Sequence, residues 1–174
     1  MGLSSFVNIK ERVTLLGIRD PSKFTESKTT KKGISFTTDS GSTEMSVDSF
    51  LALQKAGRAD LLVSISNQIG KHSSRKKKVA AKQTRELLLK MLEKEPSMEK
   101  SVVASIQCFA SNLEEETKSA ASCKSVFGYN LEGLGTGEFL EEKISLTEKV
   151  LVFKLLSFSP KFDLFWTVEN PAGR

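Results

Sequence analysis

The sequence predicts an α+β fold, a single domain over residues 1–174 with short N-terminal strands, a central helical hairpin and a C-terminal β-hairpin. Three observations predict it. Before Ser46, apolar residues alternate with polar ones between turn signals; in the middle, two stretches repeat apolar residues at helical spacing; the last stretch is rich in β-branched and aromatic residues. The length is close to that of one domain, and 39% hydrophobic with 27% charged residues is ordinary for a folded protein. Collagen-like, disulfide-scaffold and wholly disordered chains are thereby excluded.

The first strands are read from Val13 and Leu15 and, further on, Ile34 and Phe36, punctuated by Asp20-Pro21, Gly33 and Gly41. Residues 22–32, rich in Ser, Thr and Lys, read as a mobile basic loop carrying Lys28, Lys31 and Lys32. Ser46 can cap a short helix with Val47, Phe50, Leu51 and Gln54 on one side and Gly57 as its C-terminal stop. Leu61, Val63 and Ile65 suit a strand, with a second short helix as the alternative.

Residues 71–95 form the clearest element, a cationic amphipathic helix starting at Ser73 or Ser74. Ala80, Thr84, Leu87, Leu88 and Met91 recur on one face, and Arg75, Lys78, Lys82 and Arg85 fall opposite. Pro96 ends it. Ser97 can then cap a second helix with the stripe Val102, Ile106, Phe109, Ala110 and Leu113, which would complete an antiparallel hairpin. That hairpin would bring Glu114-Glu115-Glu116 close to the cationic start of the first helix and partly neutralise it. Beyond Cys123 the periodicity shifts, with Val126-Phe127 and then Ile144 and Leu146, and the run from Val150 to Leu156 with the aromatic stretch after Ser159-Pro160 reads as a terminal β-hairpin.

Charge is distributed unevenly. Residues 1–94 carry 18 Lys/Arg against 9 Asp/Glu, and residues 95–174 carry 8 against 12; within 71–94 the ratio is 9 to 2. Such a concentration attracts polyanions: nucleic acid or a ribonucleoprotein, an anionic membrane surface, or an acidic import receptor. Arg75-Lys76-Lys77-Lys78 resembles a monopartite nuclear localisation signal over those few residues. Cations on the first turn of a helix oppose its dipole, and residues kept where they cost stability point to a partner. The nucleic-acid contacts expected are Arg75, Lys76, Lys77, Lys78, Lys82 and Arg85, with Lys28, Lys31 and Lys32 as a second site. These would be phosphate contacts, largely independent of base sequence. Base stacking would need exposed aromatics, and Tyr129 alone stands in a polar context.

Catalytic and metal chemistry have little to draw on. His72 is the single histidine and sits inside the basic stretch; Cys108 and Cys123 lack zinc or redox spacing and read as free core thiols of a reducing compartment. Carboxylate pairs such as Glu141-Glu142 read as solvated. Gly133-Leu134-Gly135-Thr136-Gly137 fails as a phosphate loop, since Glu138 stands where a glycine is required and Glu132 and Glu138 flank it with negative charge. No enzyme activity, cofactor or metal is expected. Met1-Gly2-Leu3-Ser4-Ser5-Phe6 departs from the myristoylation pattern at Phe6. No apolar run approaches the roughly 20 residues of a membrane span, and no secretory leader is read, so the expected location is the nucleus or cytoplasm, or a virion.

The leading expectation is a non-enzymatic binding protein that engages nucleic acid or a ribonucleoprotein through the cationic helix. Two alternatives come from other classes. One is a viral matrix-type adaptor linking a nucleocapsid to an anionic membrane and self-associating as a homo-oligomer, a reading from size and charge with no motif behind it. The other is a nuclear-entering module that regulates a partner protein.

Overall fold

The structure is a computed structural model that describes residues 2, 6, 12–19, 25–70, 74–107, 115–116, 126–132, 141, 144–145 and 148. The α+β class holds. Among the described residues seven strands form two sheets. A four-stranded sheet, wholly parallel, has the order β1 (Leu15–Leu16), β5 (Leu61–Val63), β6 (Val102–Gln107), β7 (Gly128–Glu132), with Leu15 opposite Leu61, Leu62 opposite Val102 and Val103 opposite Gly128. A three-stranded antiparallel meander is made by β2 (Ser27–Thr29), β3 (Gly33–Thr38) and β4 (Gly41–Ser46). Among the described residues, α1 (Val47–Gly57), α2 (Ser74–Lys94) and a 3₁₀ segment (Pro96–Ser101) accompany the sheets.

Parallel neighbours cannot be joined by a tight turn, so each link between them must cross over the sheet. Helix α2 is the crossover from β5 to β6. The central helical hairpin is therefore corrected: Val102–Gln107 is a strand, buried at every position, and Ser97 lies in the 3₁₀ segment, where no side chain caps the first turn. A strand covered on both faces shows a continuous buried run in place of alternation. The helical spacing of Val102 and Ile106 therefore misled, whereas the β-branched Val102-Val103 and Ile106 are at home in a strand.

Ser46 caps α1 as its sequence indicates. Its Oγ accepts the amide of Ser49 at 3.1 Å, and Asp48 lies in the first turn. The helix ends one residue later than the glycine suggests: Arg58, at φ 51° and ψ 45°, takes the left-handed position and its amide donates to Gln54 O at 2.7 Å.

The loop reading of 22–32 is corrected over its second half. Ser27–Thr29 pairs with Ile34–Phe36, and Thr30–Gly33 forms a tight turn in which Thr30 Oγ1 accepts the amides of Lys32 and Gly33. Gly33 cannot carry a side chain here, since a Cβ would stand 2.1 Å from Met45 O on the adjacent strand. At the other end of β3, Gly41 takes a positive φ of 114° as the chain turns into β4.

Among the described residues the main core fills the space between the sheets and helices. Ile34 and Phe36 of β3, Val47, Phe50 and Leu51 of α1, Leu87, Leu88 and Met91 of α2, and Leu62, Val102 and Ala104 of the parallel sheet all contribute buried side chains. A reciprocal contact ties β1 to β5: Asp60 Oδ2 accepts both the amide and the hydroxyl of Thr14 at 2.8 Å, while Thr14 Oγ1 accepts the Asp60 amide at 3.1 Å. These donors hold the Asp60 carboxyl below its usual range. The C-terminal hairpin expected over 150–168 lies outside the described residues, as do His72, Cys108, Cys123 and the glycine cluster 133–137.

Candidate polyanion-binding surface

Helix α2 is the scaffold of the surface. Ala80, Ala81, Thr84, Leu87, Leu88 and Met91 turn inward, and Arg75, Lys76, Lys78, Lys82 and Lys90 are exposed, as amphipathic spacing requires. Its first turn holds no acidic residue. Arg75, Lys76 and Lys78 form no ion pair with any described residue, and Lys77 is half-buried. Four like charges on one turn at the positive end of the dipole repel both one another and the helix terminus.

Two of the expected contacts are engaged within the protein. Lys82 lies 3.8 Å from Glu86, an exposed pair of little energetic weight. Arg85 is more deeply committed: its side chain is 29% exposed and lies 3.7 Å from Glu116, which is 9% exposed. Burial raises the Glu116 carboxyl above its usual range, the Arg85 charge opposes that rise, and Glu115 adds to it. Arg85 thus serves an internal carboxylate. Of the acidic run, Glu116 meets α2 at its middle, on Arg85, and Glu114 lies outside the described residues.

The second basic group is built by the turn between β2 and β3. Lys28 is exposed on β2; Lys31 and Lys32 are exposed at the turn. This hairpin is fastened to α2 by polar side chains gathered around the buried Asn67. Asn67 Nδ2 donates to Thr29 Oγ1 at 2.9 Å and to Gln83 Oε1 at 2.7 Å, Thr29 Oγ1 donates to Gln83 Oε1, and Ser27 Oγ donates to Asn67 Oδ1 at 3.0 Å. Behind it, Arg19 donates to Ser66 Oγ, Ser66 O and Ser27 Oγ, with its guanidinium 5.6 Å from the Phe36 ring centre. Ser64 to Ile69, buried at every position without regular secondary structure, thus holds the hairpin against the helix.

The turn lysines border a concavity against the later turns of α2, beyond the cations of its first turn. Lys31 and Lys32 stand on one side, and Gln83, Glu86, Lys90 and Lys94 on the other. Lys94 is tied to Asp48, and Lys55 to Glu95 at 2.9 Å. Lys90 pairs with no described residue. Sequence reasoning passed it over, although Lys76, Gln83 and Lys90 follow one another at seven-residue intervals and so lie nearly in line along the helix.

On the far face of the parallel sheet, Glu132 accepts hydrogen bonds from Ser105 Oγ, Gln107 Nε2 and Asn130 Nδ2 at 2.9–3.1 Å. Two of these donors, Ser105 and Gln107, stand on β6 and pin it to β7 through the Glu132 carboxylate. Tyr129, expected in a polar loop, is on β7 and packs partly buried against the core. Among the described residues no three His, Cys, Asp or Glu side chains gather as metal ligands, and no helix is long and apolar enough to cross a membrane. Comparison with models of known protein families and with curated proteins found no match to this chain.

Proposed function

We propose that the protein binds nucleic acid, alone or within a ribonucleoprotein, through the exposed cations of α2. The observation that carries this reading is the first turn of the helix. Arg75, Lys76 and Lys78 are exposed, lack acidic neighbours among the described residues, and oppose the helix dipole. Each such cation costs about 0.3–1 kcal/mol at that position. A polyphosphate ligand would reverse this penalty, and the counterions it releases would drive association. Arg85 is left out of the contact set because Glu116 holds it.

The test is binding of labelled RNA across a salt series by the wild type and by Lys76→Ala, Lys77→Ala, Lys78→Ala combined. The variant is expected to lose affinity and to show a salt slope shallower by about 2, at about 0.7 per single-strand phosphate contact. Its thermal midpoint should be unchanged or slightly higher, since the dipole penalty is relieved. Equal binding by variant and wild type would refute the reading.

One observation favours a second reading, attachment to an anionic membrane surface. Val79 and Leu89 are 49% and 51% exposed on the outer ridge of α2, beside Lys82. Apolar residues among cations suit a lipid headgroup layer. Flotation with anionic liposomes that is lost in Val79→Ser, Leu89→Ser would support it.

A further inference from the structure

The turn between β2 and β3 and the adjoining flank of α2 enclose an open cleft of about 220 Å³. Its charges do not all cancel. Lys94 and Asp48 neutralise each other, and Glu86 is shared with Lys82, which leaves Lys31, Lys32 and Lys90 unpaired among the described residues. They come from two elements far apart in sequence and converge on one hollow.

We infer that this cleft is a second backbone subsite for a single-stranded nucleic acid, continuous with the cations on the first turn of α2. The inference rests on the nucleic-acid reading above and adds Lys90 and Gln83 to its contacts. Lys76, Gln83 and Lys90 lie along one line of the helix, and fourteen residues span about 21 Å. At about 3.4 Å per phosphate of one stacked strand, that is a track for about six phosphates. Gln83 has a defined part in it. Its Oε1 is occupied by Asn67 Nδ2 and Thr29 Oγ1, which fixes the amide and leaves Nε2, a donor to no described residue, for a phosphate oxygen.

Size and shape choose the ligand. The cleft is smaller than the roughly 300–1,000 Å³ of small-molecule sites, so it suits one unit of a polymer. A duplex, stiff over about 150 base pairs, does not bend into the hollow between the β2–β3 turn and α2. A single strand can bend between Lys32 and Lys90. Glu86 borders this path and repels phosphate, so the subsite binds less tightly than it could.

The experiment measures a twelve-nucleotide single-stranded oligouridine and a duplex of equal length by fluorescence anisotropy between 50 and 200 mM KCl. The proteins are the wild type, Lys31→Ala/Lys32→Ala/Lys90→Ala, Lys76→Ala/Lys77→Ala/Lys78→Ala, and Glu86→Gln. The cleft triple is expected to bind the single strand at least tenfold more weakly, with a log–log salt slope shallower by about 2. Glu86→Gln should bind about two- to fivefold more tightly. Wild-type affinity and slope in the cleft triple, with loss confined to the 76–78 variant, would overturn the cleft subsite and leave the helix reading standing. Duplex bound more tightly than single strand would overturn the strand assignment. No salt-sensitive binding by the wild type would remove the helix reading, and the cleft with it.

Discussion

Replacing Thr84 with valine removes a single oxygen from the interior while keeping the shape of the side chain. Thr84 is 1% exposed, and its Oγ1 accepts the Asn67 amide at 3.0 Å and donates to Ala80 O at 2.9 Å. Valine fills the same volume, so no cavity forms; what is lost is the acceptor for a buried N–H. An orphaned buried donor costs about 1–3 kcal/mol. In a domain of this size that lowers the thermal midpoint by about 2–12 °C. Thr84→Ser keeps the hydroxyl and gives up one methyl group, a loss of about 1 kcal/mol. Urea unfolding measures both, and hydrogen exchange separates them: the Asn67 amide should lose protection in the valine variant and keep it in the serine one. A valine variant as stable as wild type, with the Asn67 amide still protected, would refute the claim that Thr84 anchors the 64–69 segment to α2.

Core truncation tests the strand that the sequence disguised: Leu88→Ala on α2 and Ile106→Ala on β6, both 5% exposed, should each destabilise by about 2–5 kcal/mol in urea titration. The pH dependence of Asp60 has a defined sign. Its folded-state pKa is depressed by Thr14, so its contribution is fully present above the unfolded value near about 4 and is lost as pH falls through the lower folded value. Asp60→Asn should abolish that part of the acid limb, checked by comparing unfolding curves from pH 6 down to about 2. Arg58→Gly, at the left-handed end of α1, should raise stability by about 0.5–1 kcal/mol, the relief of backbone strain exceeding the added entropy of the unfolded chain. A loss of stability in a thermal melt would contradict it.

Local signals in the sequence located the two helices well. The cap at Ser46 and the apolar spacing of 80, 84, 87, 88 and 91 depend only on residues within a few positions of one another, and α2 ends beside Pro96 as its sequence indicates. The cationic face of α2 was legible for the same reason, because a regular helix fixes which side chains share a side. The β2 strand was less legible. Ser27-Lys28-Thr29 has no apolar alternation, and it pairs because β3 beside it is anchored in the core through Ile34 and Phe36. Likewise Ser-Ile-Ser-Asn over 64–67 gives no sign that its hydroxyls and amides will be buried; they are satisfied by Arg19, Ser27, Thr84 and Gln83, which lie far away in sequence.

By itself, then, the sequence determined that this is an α+β chain with a strongly basic amphipathic helix, since composition and periodicity are properties of the chain alone. The tertiary structure decided the rest. It made Val102–Gln107 a central strand, because burial on both faces is set by what packs above and below. It withdrew Arg85 from the surface, because Glu116 reaches it only in the folded chain. And it set Lys31 and Lys32 across a cleft from Lys90, because hydrogen bonds between β2, the 64–69 segment and α2 join residues whose separation along the chain no periodicity records.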